Sequence, residues 1–265
     1  MPRGGAQAKD ITKHRGGSTV SVQQYDEIGE AFEGFKSLLL AHYAEVPGFL
    51  ALVGDVRGTS VLDLACGTGF YSREFKRRGA TEVVGVDISD EMVAAAREIE
   101  ERDPLGVRYE VGDVSELRPL GRRFDIATAV QLLNYAEDVA AMERMCRNVH
   151  RSLVPGAEFF VLAQTPDYRF GGPSMRKYGF LCEPTGEEAE LGPRVRITAL
   201  LDPPIEFVTT CPRREAYEEC LQAAGFTEVT WVPLEVSDVG VRTFGADFWA
   251  DFLANPPLVM LRCCA

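Results

Sequence analysis

The chain has 265 residues with 28 Lys+Arg against 40 Asp+Glu, a formal net charge of -12 at pH 7, and that acidic balance without a Lys/Arg-rich stretch excludes a phosphate-backbone binder. A small-molecule partner is expected, and no nucleic acid. No run of about 18 apolar residues occurs and the first twenty residues lack the apolar core of a signal peptide, so no membrane partner and a cytoplasmic location are expected.

Residues 1–20, rich in Gly, Lys, Arg, Ser and Thr without hydrophobic period, are expected to form a flexible tail. Ser21 and Gln24 resemble a capping box, and Tyr25, Ile28, Phe32, Phe35, Leu39 and Tyr43 follow at helical spacing, which predicts an N-terminal helical segment over 21–57 that Pro47 breaks or restarts. The main domain is expected over 58–265. Short β-rich runs at 61–65, 83–87, 107–111, 124–130 and 158–163 alternate there with helical stretches near 70–79, 90–102 and 137–152, and a poorer turn lies near 115–119. This alternation predicts an α/β fold built on a doubly wound, mostly parallel, Rossmann-like sheet. After Ala163 the rhythm changes. Residues 164–193 are rich in Pro, Gly and charge, and strands at 195–201 and 205–209 pair around Asp202-Pro203-Pro204, so an insertion over about 164–212 is placed to cover a substrate pocket. A helix at 213–224 stopped by Gly225, then strands at 227–234 and 258–262, complete the fold.

The strongest motif is the run from Val61 to Gly69, VLDLACGTG, an apolar strand ending in a glycine-rich turn before a helix. Gly67 and Gly69 remove Cβ atoms that would hold a ligand away from the backbone, the following helix presents free amides, and Ala65 and Thr68 complete the turn. A dinucleotide fingerprint would require a third glycine where Ser72 stands. Without a pyrophosphate to cradle, Asp63 inside the strand suits the ammonium or sulfonium end of a cationic cofactor. Asp87 closes the next strand, where a carboxylate accepts both ribose hydroxyls; Ile88 and Met92 offer apolar surface to a base, although Met92 equally suits a core.

These residues resemble class I S-adenosylmethionine-dependent methyltransferases over about 59–163. The resemblance implies a Rossmann-like methyltransferase fold, S-adenosylmethionine as cofactor and S-adenosylhomocysteine as product. It assigns Asp113, in the run from Tyr109 to Val114, to the adenine amine and the Val114 amide to a ring nitrogen, whereas local sequence alone also allows Asp113 as a turn acid. Leu153-Val154-Pro155-Gly156 and Ala224-Gly225-Phe226 fit the family as structural turns. At a finer level the chain is similar to natural-product methyltransferases, including toxoflavin-type N-methyltransferases and a teleocidin-pathway enzyme that methylates an alkene carbon and starts cyclisation. In such enzymes the N-terminal helix closes over the cofactor, which makes Tyr25 and Phe32 lid candidates beside an alternative as ordinary core contacts.

Strand carboxyl ends hold ligands in this architecture, so Ala129 and Gln131 are expected to border the cofactor and Asn134 and Tyr135 the substrate. Tyr168, Tyr178 and Trp249 are further candidates for aromatic faces against a cationic substrate or intermediate, equally plausible as packing. No histidine falls at a strand's carboxyl end and the seven cysteines lack metal-ligand spacing, so neither a dedicated His base nor a metal is expected. The expected activity is therefore methyl transfer to a small molecule, a secondary metabolite, at nitrogen or an alkene carbon. O-methyl transfer, a nicotinamide-dependent oxidoreductase and a non-catalytic adenosylmethionine-binding protein stay open as alternatives, as does a homo-oligomer through the N-terminal helix.

Overall fold

The computed structural model describes residues 34–265, so Tyr25, Phe32 and the capping pattern at Ser21 lie outside the described residues. A π-helical turn, Ala41–Glu45, runs directly into α1 (Val46–Val53). Pro47 sits in the first turn of α1, directly after the π-helical turn whose last backbone bond runs from the Val46 amide to the Ala41 carbonyl.

The central sheet has seven strands in the order β3-β2-β1-β4-β5-β10-β9. The first five are β1 (Ser60–Leu64), β2 (Glu82–Asp87), β3 (Arg108–Val111), β4 (Phe124–Val130) and β5 (Leu153–Gln164), all parallel to their neighbours. β10 (Leu258–Cys264) runs antiparallel between β5 and β9 (Thr227–Pro233). One reversed strand thus closes an otherwise parallel sheet, as the alternating pattern predicts.

Apolar residues face both ways from these strands. Leu62, Leu64, Val84, Val86, Ala127 and Ala129 point to one core with α4 (Val139–Arg151) and α5 (Arg214–Ala224). Val61, Val83, Ile126, Phe160 and Leu162 point to the other, under α1, α2 (Phe70–Arg77) and α3 (Asp90–Arg102). A period of two places successive residues on opposite faces, and covering both faces leaves no room for polar alternation.

The inserted region forms a separate antiparallel sheet of β6 (Phe180–Glu188), β7 (Pro193–Ala199) and β8 (Ile205–Thr210), in the order β6-β7-β8. The β7–β8 pair follows expectation. β6 does not: Pro184 and Gly186 give it a loop-like composition, and it forms because it is an edge strand that tolerates a proline and an irregular register between Pro184 and Glu188. Also unanticipated are α6 (Asp238–Phe244) and α7 (Ala250–Ala254), each too short to show a sustained helical period. They carry an aromatic cluster in which Trp249 stacks on Tyr178, with ring centroids 5.1 Å apart and 7° between planes.

A buried polar contact docks the inserted sheet on the main one. Asn134 Nδ2 donates to Thr209 Oγ1 at 2.8 Å, and the same hydroxyl donates to the Asn134 carbonyl at 3.0 Å. Thr209→Val would leave the Asn134 amide and carbonyl buried without these partners. Urea denaturation is expected to show a loss of about 1–3 kcal/mol.

Candidate cofactor and acceptor site

The turn after β1 is built from backbone conformations that side chains disfavour. Ala65 (φ 53°), Gly67 (φ 53°) and Gly69 (φ 82°) all lie in the left-handed region. Two carboxylates hold it. At the end of β2, Asp87 accepts from the Gly67 amide at 2.8 Å through Oδ2 and from the Ser89 amide at 3.0 Å through Oδ1. Beneath the turn, Asp63 accepts from Ser72 Oγ at 2.6 Å and from Thr128 Oγ1 at 2.9 Å.

Asp63 therefore ties β1 to α2 and β4, a role different from the contact with a cationic ligand expected of it. Burial pushes its carboxyl up to about 6 against the hydrogen bonds from Ser72 and Thr128, and the Asp87 charge adds to the rise. Gly69 also differs from expectation: a Cβ there would stand 2.2 Å from Tyr109 Oη, so the absent side chain makes room for a tyrosine of β3 as well as for the turn.

From this turn a cleft open to solvent runs between the main sheet and the inserted one. Ala65, Cys66, Thr68, Val130 and Gln131 form its floor. Phe180, Leu181, Ile197 and Phe207 of the inserted sheet form an apolar wall against which Phe35 packs, and Leu40 and the first residues of α2, Phe70 and Tyr71, also line the cleft. Its charged groups are joined to one another: Lys36 pairs with Glu45, Tyr71 Oη donates to Glu45 Oε1 at 3.1 Å, and the Lys36 ammonium lies 4.6 Å from the Tyr71 ring centre. Burial and the Glu45 charge push the Tyr71 hydroxyl well above its ordinary range, so it stays a donor. At the carboxyl ends of β4 and β5, Gln164 Nε2 donates to Gln131 Oε1 at 3.1 Å.

Residues 61–156 match the model of a family described as methyltransferase domain. A ubiquinone biosynthesis O-methyltransferase of Coxiella burnetii is 33% identical over 105 residues, covering 40% of this chain and 43% of that protein. The chain thus spans less than half the length of the curated relatives it matches. Among solved structures, an S-adenosylmethionine dependent methyltransferase from Mesorhizobium loti superposes with a TM-score of 0.62 at 24% identity, covering 88% of this chain and 100% of that one. A DhpI-SAM-HEP complex gives 0.62 at 18% identity over 95% of this chain and 99% of that one. At such identities the likeness is one of fold, the Rossmann-like fold of class I methyltransferases.

Within the matched segment the predicted cofactor residues divide by what they face. Ala65, Thr68 and Gln131 line the cleft. Ile88, 39% exposed, offers an apolar surface beside Asp87, while Met92 is fully buried and Ala129 packs into the core under α4, leaving Val130 at the cleft in its place. Asp113 caps a short helical turn by accepting from the Ser115 amide at 2.7 Å, and the Val114 side chain is core.

None of the acceptor candidates lines the cleft. Asn134 is buried on Thr209, and Tyr135 is half-buried in the turn that follows β4. Tyr168 packs edge-on to Phe170, its hydroxyl pushed by burial up to about 12. Tyr178 is fully buried, donating to the Phe248 carbonyl at 2.6 Å and accepting from the Phe252 amide at 3.2 Å. An aromatic residue in a loop-like sequence carries no sign of which side it turns to. Cleft residues that sequence reasoning passed over include Lys36, Glu45, Tyr71 and Gln164; only Gln164, one residue beyond a predicted strand, had a positional signal.

Two substitutions test the carboxylates. Asp87→Ala removes the bond to the Gly67 amide together with the carboxylate expected to accept from ribose, and calorimetric affinity for S-adenosylhomocysteine is expected to fall by about 1.5–3 kcal/mol. For Asp63, between its unfolded value of 3.8 and its folded value of about 6 the native protein holds a proton that the unfolded chain has released. Stability therefore falls as pH rises through that window, on the order of 3 kcal/mol, and Asp63→Asn is expected to remove that slope in denaturation curves taken from pH 4 to pH 7.

Proposed function

We propose that this chain transfers a methyl group from S-adenosylmethionine to a small, largely apolar acceptor, a secondary metabolite, at nitrogen or an alkene carbon. The observation that carries the reading is continuity: the left-handed turn beside Asp87 opens directly into a largely apolar cleft. The residues present suit the cofactor. The bare turn lets a nucleoside lie against the backbone, Asp87 offers a fixed carboxylate to ribose, and Ile88 supplies apolar surface to the base. A solved neighbour of the same fold is described as a complex with SAM, which agrees with this assignment.

Bound there, S-adenosylmethionine supplies an electrophilic methyl carbon on a sulfonium that leaves as a neutral thioether. The chain's own part is to align and to exclude water. Holding two reactants in line contributes on the order of 7–11 kcal/mol toward the barrier, and the Phe180, Ile197 and Phe207 wall keeps water from the acceptor. Among the described residues the cleft's single carboxylate, Glu45, is engaged by Lys36 and Tyr71. His42 is exposed beside Tyr43, and His150 packs on Phe226, away from the cleft. An acceptor that needs no strong base, a neutral nitrogen or an alkene carbon, suits that lining.

The curated relatives favour a second reading, since they are named as O-methyltransferases. Incubation with methyl-labelled S-adenosylmethionine and three acceptor types, N-heterocycles, prenylated indoles and catechols, separates the two. Label is expected on nitrogen or carbon; label on catechol oxygen alone would establish the second reading, and none on any acceptor despite tight cofactor binding would indicate a binding protein.

A further inference from the structure

Resting on the methyltransferase reading, we propose that the side-chain amides of Gln131 and Gln164 recognise an amide-like edge on the acceptor, an adjacent N–H and C=O as in a lactam or imide. Three observations support it. The first is position. Gln131 follows β4 and Gln164 ends β5, so both stand at the carboxyl ends of neighbouring parallel strands, on the cleft floor facing the inserted sheet.

The second is hydrogen-bonding capacity. A primary amide carries two N–H donors and a carbonyl with two lone pairs. Gln164 Nε2 donates to Gln131 Oε1 at 3.1 Å, and among the described residues that is the one hydrogen bond either side chain makes. Among the described residues the cleft's charged groups, Lys36 and Glu45, satisfy each other and Tyr71, and most of its lining is apolar, so the joined amides are the pair of uncharged polar side chains that can reach an acceptor with both a donor and an acceptor. Through their single mutual bond they present a donor and an acceptor side by side, complementary to an N–H next to a C=O.

The third is backbone strain. Gln131 has φ 58°, in a region where Gly or Asn is the usual occupant, and its amide is fixed there by a 2.8 Å bond to the Leu162 carbonyl. Gln164 is 5% exposed, with its own carbonyl accepting from Tyr217 Oη at 3.3 Å. A strained backbone carrying a long polar side chain into an apolar cleft is the pattern found where a side chain is placed for a ligand.

The test uses the full chain loaded with S-adenosylhomocysteine and compares 2-quinolinone, a planar lactam, with naphthalene, its apolar counterpart, by ligand-observed NMR titration. The lactam is expected to bind about tenfold or more tightly than naphthalene, the effect of one or two neutral hydrogen bonds in a desolvated site. N-methyl-2-quinolinone, which keeps the carbonyl and loses the donor, is expected to lose most of that advantage. In Gln164→Leu the lactam preference should shrink to within about threefold while affinity for S-adenosylhomocysteine is kept, an outcome that a purely structural glutamine pair would not produce. Equal binding of lactam and naphthalene by the unsubstituted protein, or a preference retained in Gln164→Leu, would overturn the proposal. The comparison in the unsubstituted protein decides the matter even if the variant fails to fold. Failure to bind S-adenosylhomocysteine at all would instead sink the methyltransferase reading, and the proposal with it.

Discussion

The turn after β1 is the constraint from which the site follows, and it exists because two carboxylates hold it from different sides. Asp87 takes the Gly67 amide, fixing the turn laterally to the end of β2, while Asp63 takes the Ser72 and Thr128 hydroxyls and fixes it from below to α2 and β4. Left-handed backbone at Ala65, Gly67 and Gly69 is unfavourable alone and persists where surrounding bonds over-determine it. Burial and the neighbouring Asp87 charge both raise the Asp63 carboxyl, so the clamp carries an electrostatic cost that its two hydroxyl donors only partly offset.

A division of labour follows from the topology. The parallel strands end together at one edge, bringing the turn, Val130, Gln131 and Gln164 to a common floor. What lies above that floor comes from elsewhere: the inserted sheet supplies an apolar wall, and the segment before α1 supplies Phe35, Lys36 and Leu40. The Asn134–Thr209 contact joins the two parts, so the distance between floor and wall is set by a buried polar pair. Apolar packing alone tolerates small slides that such a directional bond does not.

Sequence alone revealed the centre of the parallel sheet well because β1, β2 and the second half of β5 are buried on both faces and so appear as mostly apolar runs, 61–64, 83–86 and 159–163, bounded by turn residues. The glycine turn and Asp87 were legible for the same local reason. Contacts made at long range were not. Asp63 stands in the motif, yet its partners Ser72 and Thr128 are named by the tertiary fold, one of them 65 residues away. The aromatic residues divide similarly: Tyr168 and Tyr178 lie in a stretch with no period, and only the fold shows Tyr178 turned onto Trp249 and Phe180 turned into the cleft. β6 was hidden by Pro184 and Gly186, whose penalty is small on an edge strand and large in a central one.

That distribution bears on how far likeness to known methyltransferases reaches. The matched segment, 61–156, contains the turn, Asp87, Asp113 and Gln131, but ends before Gln164 and before every residue of the inserted sheet. The cofactor side of the cleft therefore lies inside the shared part, and the wall that would meet an acceptor lies outside it. A relative that matches 40% of this chain informs the first side and is silent on the second. Acceptor choice must then be argued from this chain's own lining, where Phe180, Ile197 and Phe207 select for apolar bulk and a joined pair of amides is the directional polar feature on the floor beneath them.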